Sequence, residues 1–140
     1  MKIVYWSGTG NTEKMANLIA EGIVEKGKQA EVLSVDKVNS DVFNNEEVVV
    51  LGCPAMGAEV LEECEFQPFV DELISKVGGK KAALFGSYGW GECDWMRDWE
   101  ADAKAAGAVL MSEEGLTVNE TPEGDVCDEC KAYGKKIAQA

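Results

Sequence analysis

The chain has 140 residues, 46% apolar and 28% charged, the make-up of one water-soluble domain over residues 1–140. Thirteen basic residues against 26 acidic ones give a formal charge of −13, which excludes a nucleic-acid partner, disfavours a membrane surface and points to basic protein partners. Histidine is absent, so imidazole catalysis and His-ligated zinc are excluded. No apolar run approaches the roughly 18 residues of a membrane span. The apolar start at Met1–Trp6 is too short for a signal peptide. Without such a signal, Cys53, Cys64, Cys93, Cys127 and Cys130 are expected as free thiols in a reducing cytoplasm.

In chain order, residues 2–6 form a short apolar, β-branched strand that stops at Ser7-Gly8-Thr9-Gly10-Asn11-Thr12. Met15, Leu18, Ile19 and Ile23 then recur at helical spacing, with Gly27 as the stop. Residues 30–35 make a second strand, and Val48-Val49-Val50-Leu51 is a continuous apolar run typical of a strand buried on both faces. Phe66, Phe69, Val70, Leu73, Ile74 and Val77 trace one helical stripe closed by Gly78-Gly79. A fourth strand follows at 81–85, and Trp95, Met96, Trp99 and Ala103 mark a third helix. Residues 108–118 carry a fifth strand interrupted by polar residues. Thr121-Pro122 has the form of an N-cap with proline at the first helical position, and Val126, Cys130, Tyr133 and Ile137 line the last helix.

This alternation predicts an α/β fold, a doubly wound parallel sheet with helices on both faces. Ligands of such sheets bind beyond the carboxyl ends of the strands, so the loops after strands 1, 3, 4 and 5 are where chemistry is expected. The first loop joins a strand to a helix N-terminus, where unpaired N–H groups and the positive dipole end attract an anion. Its composition is discriminating. Gly10-Asn11-Thr12 stands where a Walker loop needs Gly-Lys-Ser/Thr, and Glu13 stands where a dinucleotide fingerprint needs its third glycine. The Cys and Arg of a low-molecular-weight phosphatase are missing, and no cation lies between residues 3 and 13. A terminal phosphomonoester held by neutral donors is what remains. Cys53-Pro54-Ala55-Met56-Gly57-Ala58-Glu59 follows strand 3 and Ser87-Tyr88-Gly89-Trp90-Gly91 follows strand 4. Met56 and Trp90 could sandwich a planar ring there, or plug the end of the core.

The loop of residues 7–12, together with Gly86-Ser87-Tyr88-Gly89-Trp90-Gly91 and Met56-Gly57, resembles short-chain flavodoxins of the clostridial type over essentially the whole chain. The resemblance implies strand order 2-1-3-4-5 and one non-covalent FMN. It assigns Ser7, Gly8, Thr9, Gly10, Asn11 and Thr12 to the FMN phosphate. It also assigns Pro54, Ala55, Met56, Gly57, Ala58 and Glu59 to the ring, with Met56 on one flavin face and Glu59 near flavin N3. Ser87, Tyr88, Gly89, Trp90 and Gly91 are assigned to the ring as well, with Trp90 on the opposite face and backbone at the pyrimidine edge. The function implied is a low-potential one-electron carrier that is not itself an enzyme, passing through a neutral semiquinone and an anionic hydroquinone. A Gly57 carbonyl that turns toward flavin N5–H would stabilise the semiquinone. Ala58 would weaken that effect if the turn requires φ > 0 there, at about 1–2 kcal/mol.

Acidic residues cluster at 59–72 and 113–129 without a compensating Lys or Arg. Near a flavin edge they would disfavour the second electron and steer basic partners toward a monomer. Cys127-Asp128-Glu129-Cys130 opens the last helix, not the first as in redox dithiols, and has no second pair to complete a metal site. Helical spacing with Cys130 inward explains it. An FMN-dependent NAD(P)H:quinone-type reductase on the same fold is the alternative, although the loops supply acids where a nicotinamide phosphate needs bases. A phosphate-receiving signalling module ranks lower, because Gly52-Cys53 stands where it needs Asp.

Overall fold

A computed structural model describes all of residues 1–140. Six parallel strands, β1 (Lys2–Tyr5), β2 (Glu31–Ser34), β3 (Val48–Gly52), β4 (Lys81–Tyr88), β5 (Val109–Leu110) and β6 (Leu116–Asn119), form one sheet. The order is β2-β1-β3-β4-β5, and β6 continues along the same edge of β4. Four helices cover it: α1 (Asn11–Glu25), α2 (Phe66–Leu73), α3 (Asp94–Ala105) and α4 (Asp125–Ala138). The doubly wound architecture expected from the alternation is therefore present. No helix is long and apolar enough to cross a membrane.

Strand alternation divides the core between two layers. Val4, Val49, Leu51, Ala82 and Leu84 face α2 and α3, while Ile3, Tyr5, Val48, Val50, Ala83 and Phe85 face α1 and α4. β3 is buried along its whole length, as its unbroken apolar run requires. The α1–α4 layer is tight because two glycines remove the intervening side chains. A Cβ on Gly22 would lie 2.0 Å from the Lys131 carbonyl oxygen, and one on Gly134 would lie 2.0 Å from that of Ile19.

Two elements, the end of α2 and the start of α4, differ from expectation, while the fifth strand is interrupted as expected. α2 ends at Leu73 because the chain tightens into a 3-10 turn over Ile74–Lys76, which turns Ile74 to solvent while Val77 returns to the core. The fifth strand breaks after Leu110 and resumes at Leu116, so two residues of β4 face the segment 111–115. The N-cap expected at Thr121 is not used. Pro122 is buried, and α4 begins only at Asp125, after Gly124 with φ 57° and ψ −129°. The turn chemistry of Gly124 overrides the Thr-Pro signal.

Candidate functional site

The parallel strands deliver four loops to one edge of the sheet, and between them lies a cleft of about 430 Å³. That size suits a small-molecule site. Gly8, Thr9 and Asn11 line it from the loop after β1, and Pro54, Ala55 and Met56 from the loop after β3. Ser87, Tyr88 and Gly89 come from the end of β4, and Glu120 and Thr121 from the loop after β6. Trp6 adds an aromatic wall on which Gly8 rests, since a Cβ there would lie 3.0 Å from the indole. A separate cavity of about 30 Å³ under α2 and α3 has only apolar walls and is too small to hold a cofactor.

The loop of residues 7–12 is organised by its own side chains. Ser7 Oγ accepts hydrogen bonds from the N–H groups of Gly10 (3.1 Å) and Glu13 (3.3 Å). Asn11 Oδ1 accepts one from Thr121 Oγ1 at 2.7 Å, joining the first and last cleft loops across the sheet edge. The N–H groups of Ser7, Gly8, Thr9, Asn11 and Thr12 have no acceptor within the chain. Donors of this density at the head of a 15-residue helix, with no cation among them, match a phosphate monoester.

Thr12 has a second use. It is buried, its hydroxyl lies 3.0 Å from that of Ser87, and Ser87 N–H donates to it at 3.4 Å. The hydroxyls of Thr12 and Ser87 thus lock α1 to β4, which leaves the Thr12 N–H as that residue's outward donor. Tyr5 holds the neighbouring acid in place by donating its hydroxyl to Glu13 at 2.6 Å. Burial first, and then the Glu13 carboxylate, push the Tyr5 phenol up to about 12.

On the ring side, Met56 and Val60 exchange two backbone hydrogen bonds (2.9 and 3.1 Å), so residues 57–59 form a tight turn at the cleft mouth. Its left-handed residues are Gly57 (φ 45°) and Glu59 (φ 56°). Ala58 is not among them, so the cost expected at position 58 falls on Glu59 in this conformation. Glu59 turns away from the cleft. Its carboxylate accepts the Asp94 N–H at 3.0 Å at the start of α3 and packs against Gly91. The structure therefore places Glu59 as a clamp between the turn and the loop of residues 89–93. Trp90 is 66% exposed at that loop, the most exposed of the large apolar side chains. The N–H groups of Gly89, Trp90 and Gly91 have no acceptor within the chain.

Behind the turn, Glu62 anchors the wall. It is buried, yet its carboxylate accepts N–H bonds from Cys64 (2.9 Å), Glu65 (2.7 Å) and Phe66 (2.9 Å) at the start of α2. Burial pushes the carboxyl up, and the three N–H groups outweigh it, holding it below the usual range. Burial lifts the Cys53 thiol to about 12 and that of the inward-facing Cys130 to about 11, so neither is a reactive thiolate at neutral pH.

Sequence reasoning missed Trp6, Glu120 and Thr121. The rule that ligands gather beyond the carboxyl ends of strands pointed to the loop after the fifth strand, but no residue pattern there resembles a motif.

The flavodoxin family model matches residues 3–134. The chain is 54% identical over 138 residues to a flavodoxin of Clostridium beijerinckii, covering 99% of both chains. It is 44% identical over 140 residues to a flavodoxin of Megasphaera elsdenii, covering 100% of this chain and 99% of that one. The solution structure of the two-electron reduced Megasphaera elsdenii flavodoxin superimposes with a TM-score of 0.91, covering 99% of this chain and 98% of that one. The donor-rich neutral loop, the ring-sized cleft beside it and these relatives agree, and the chain belongs to the flavodoxin family of FMN-binding electron-transfer proteins.

Proposed function

We propose that this chain carries single electrons at low potential between protein partners, with FMN held in the cleft between the four loops. The observation that carries the proposal is the set of unpartnered N–H groups at residues 7–9 and 11–12, on a loop whose Gly8, Thr9 and Asn11 line the same cleft as Met56 and Gly89. Bound FMN supplies reversible one-electron chemistry; everything else is done by the chain. The first loop binds the phosphate through neutral donors and the α1 dipole, which cost no reorganisation because Ser7 and Thr121 already hold the loop. Met56 and Trp90 would cover the ring and exclude water, and the unpartnered N–H groups of Gly89–Gly91 would hold its polar edge. Gly57, lacking a Cβ, leaves its peptide free to turn, and its carbonyl would then be available to accept a hydrogen bond from the ring.

The acidic surface does two things in this proposal. It would make the second electron harder to add than the first, because an electron taken up with a proton leaves the ring neutral, whereas the second leaves a negative charge that the acidic surface repels. It also draws partners with basic docking surfaces toward the cleft mouth, over contacts that are small, short-lived and weakened by salt. We place the protein in the cytoplasm as a single-domain monomer, where its five cysteines would stay reduced. The test is stepwise anaerobic reduction of the purified protein with its visible spectrum recorded. A yellow protein that takes up electrons in two resolved one-electron steps, without oxidising NADH, supports the proposal. A colourless protein that takes up no added FMN refutes it, and steady NADH oxidation favours the reductase.

A further inference from the structure

The break in the fifth strand is braced from both helical layers. Ala83 and Leu84 of β4 stand opposite residues 111–115, three more than a regular ladder holds. From the α3 side, Glu100, a carboxylate only 6% exposed, accepts the Gly115 N–H and the Arg97 Nη2 hydrogen at 3.1 Å. Arg97 Nη1 reaches on to Glu114 at 3.1 Å, while its Nε lies 3.0 Å from Glu100 Oε1 but off the N–H direction. From the α4 side, Tyr133 donates its hydroxyl to the Leu84 carbonyl at 3.0 Å. Gly115 admits no side chain, since a Cβ would lie 2.5 Å from Met96 Sδ and 2.9 Å from the Leu84 oxygen.

The brace sits where the register of β6 is decided. Leu116 pairs with Phe85 and Asn119 with Tyr88, after which the Glu120 N–H bonds the Tyr88 carbonyl at 2.8 Å and Thr121 reaches Asn11. A slip of one residue would turn buried Val118 outward and carry residues 120–121 away from the first loop. Gly115 and Glu120 are five residue steps of extended chain apart, about 16 Å, so the brace itself touches no part of the cleft.

We propose that Glu100, with Arg97, is a positioning residue: by fixing where β6 resumes, it sets the Glu120–Thr121 wall against the phosphate-binding loop. The inference rests on the cleft being the FMN site. A double-mutant cycle on the full chain tests it. Glu100→Ala should weaken FMN binding about tenfold, and in a Thr121→Val background the same change should weaken it by less than about twofold, because the contact it acts through is gone. Glu100→Gln retains an oxygen for Gly115 and Arg97 Nη2, although its amide nitrogen then faces Arg97 Nε, and should restore most of the affinity. In the FMN-free protein, the Glu120 amide should exchange faster with solvent in Glu100→Ala than in the unaltered chain and recover in Glu100→Gln, with the α1 and α4 amides unmoved. Additive affinities, or an unchanged Glu120 amide, would overturn the proposal. Should Glu100→Ala not fold, Tyr133→Phe removes the brace from the opposite layer and is judged by the same cycle. If the unaltered chain takes up no FMN, the cleft reading fails, and the amide measurement still decides whether Glu100 holds the wall.

Discussion

Glu62→Gln isolates what the buried carboxylate behind the cleft turn contributes. Glu62 Oε1 accepts the N–H groups of Glu65 and Phe66, and Oε2 accepts that of Cys64. Glutamine keeps an oxygen for the first two, but its amide nitrogen then meets the Cys64 N–H donor to donor. One charge-assisted hydrogen bond is lost, a donor is left unsatisfied, and the remaining bonds lose their ionic character. The expected loss is about 2–3 kcal/mol at neutral pH, a large share of a domain's stability. The pH dependence gives the sign. Because the folded-state carboxyl is held below its ordinary 4.5, its contribution is fully present above pH 4.5. It is lost as pH falls through the lowered folded value. Urea unfolding of both chains across a pH series should therefore give a difference that is flat above pH 4.5 and shrinks below it. A difference under about 0.5 kcal/mol at pH 7, within the range of ordinary surface substitutions, would refute the assignment. So would one that persists unchanged into acid.

Gly134→Ala should cost about 1–3 kcal/mol in urea unfolding, because the new Cβ meets the Ile19 carbonyl at 2.0 Å and forces α1 and α4 apart. Cys93 caps α3 at φ 69°, so Cys93→Gly should raise stability by about 1 kcal/mol where Cys93→Ala, which keeps the strain, does not; equal melting temperatures for the two variants would contradict this. Thr12→Val should cost about 1–2 kcal/mol by stranding the Ser87 hydroxyl. It should weaken FMN binding less than about tenfold, since the backbone donor at 12 survives. Abolished binding with unchanged stability would mean that the Thr12 hydroxyl meets the ligand directly.

The fold was legible because the apolar runs at 2–6, 48–51 and 81–85 and the helical stripes between them have distinct periods. The positions that misled are ones where distant residues decide. The polar stretch 112–114 signals the interruption of the fifth strand, but not where it ends, since Gly115 N–H is met by Glu100 and the facing Leu84 carbonyl by Tyr133, from two different helices. Thr121-Pro122 carries a local capping signal, but Thr121 is engaged with Asn11, 110 residues away. From Ser7 to Asn11 the donor-rich loop after β1 was readable, because residue type and spacing act locally there. At Thr12 the same residue type is spent on the core. Glu59 illustrates the limit: its position beside the turn was evident, but its grip on the Asp94 N–H depends on how α3 docks.

The central claim is that neutral backbone and side-chain donors at residues 7–12 bind a phosphate. The direct measurement is the affinity of the flavin-free chain for FMN and for riboflavin, which share the ring and differ in that group, followed by quenching of flavin fluorescence. With several N–H donors aimed at one phosphate, each charge-assisted bond worth about 1.5–3 kcal/mol, FMN should bind at least about a hundredfold more tightly. Equal affinity for the two flavins would contradict the account.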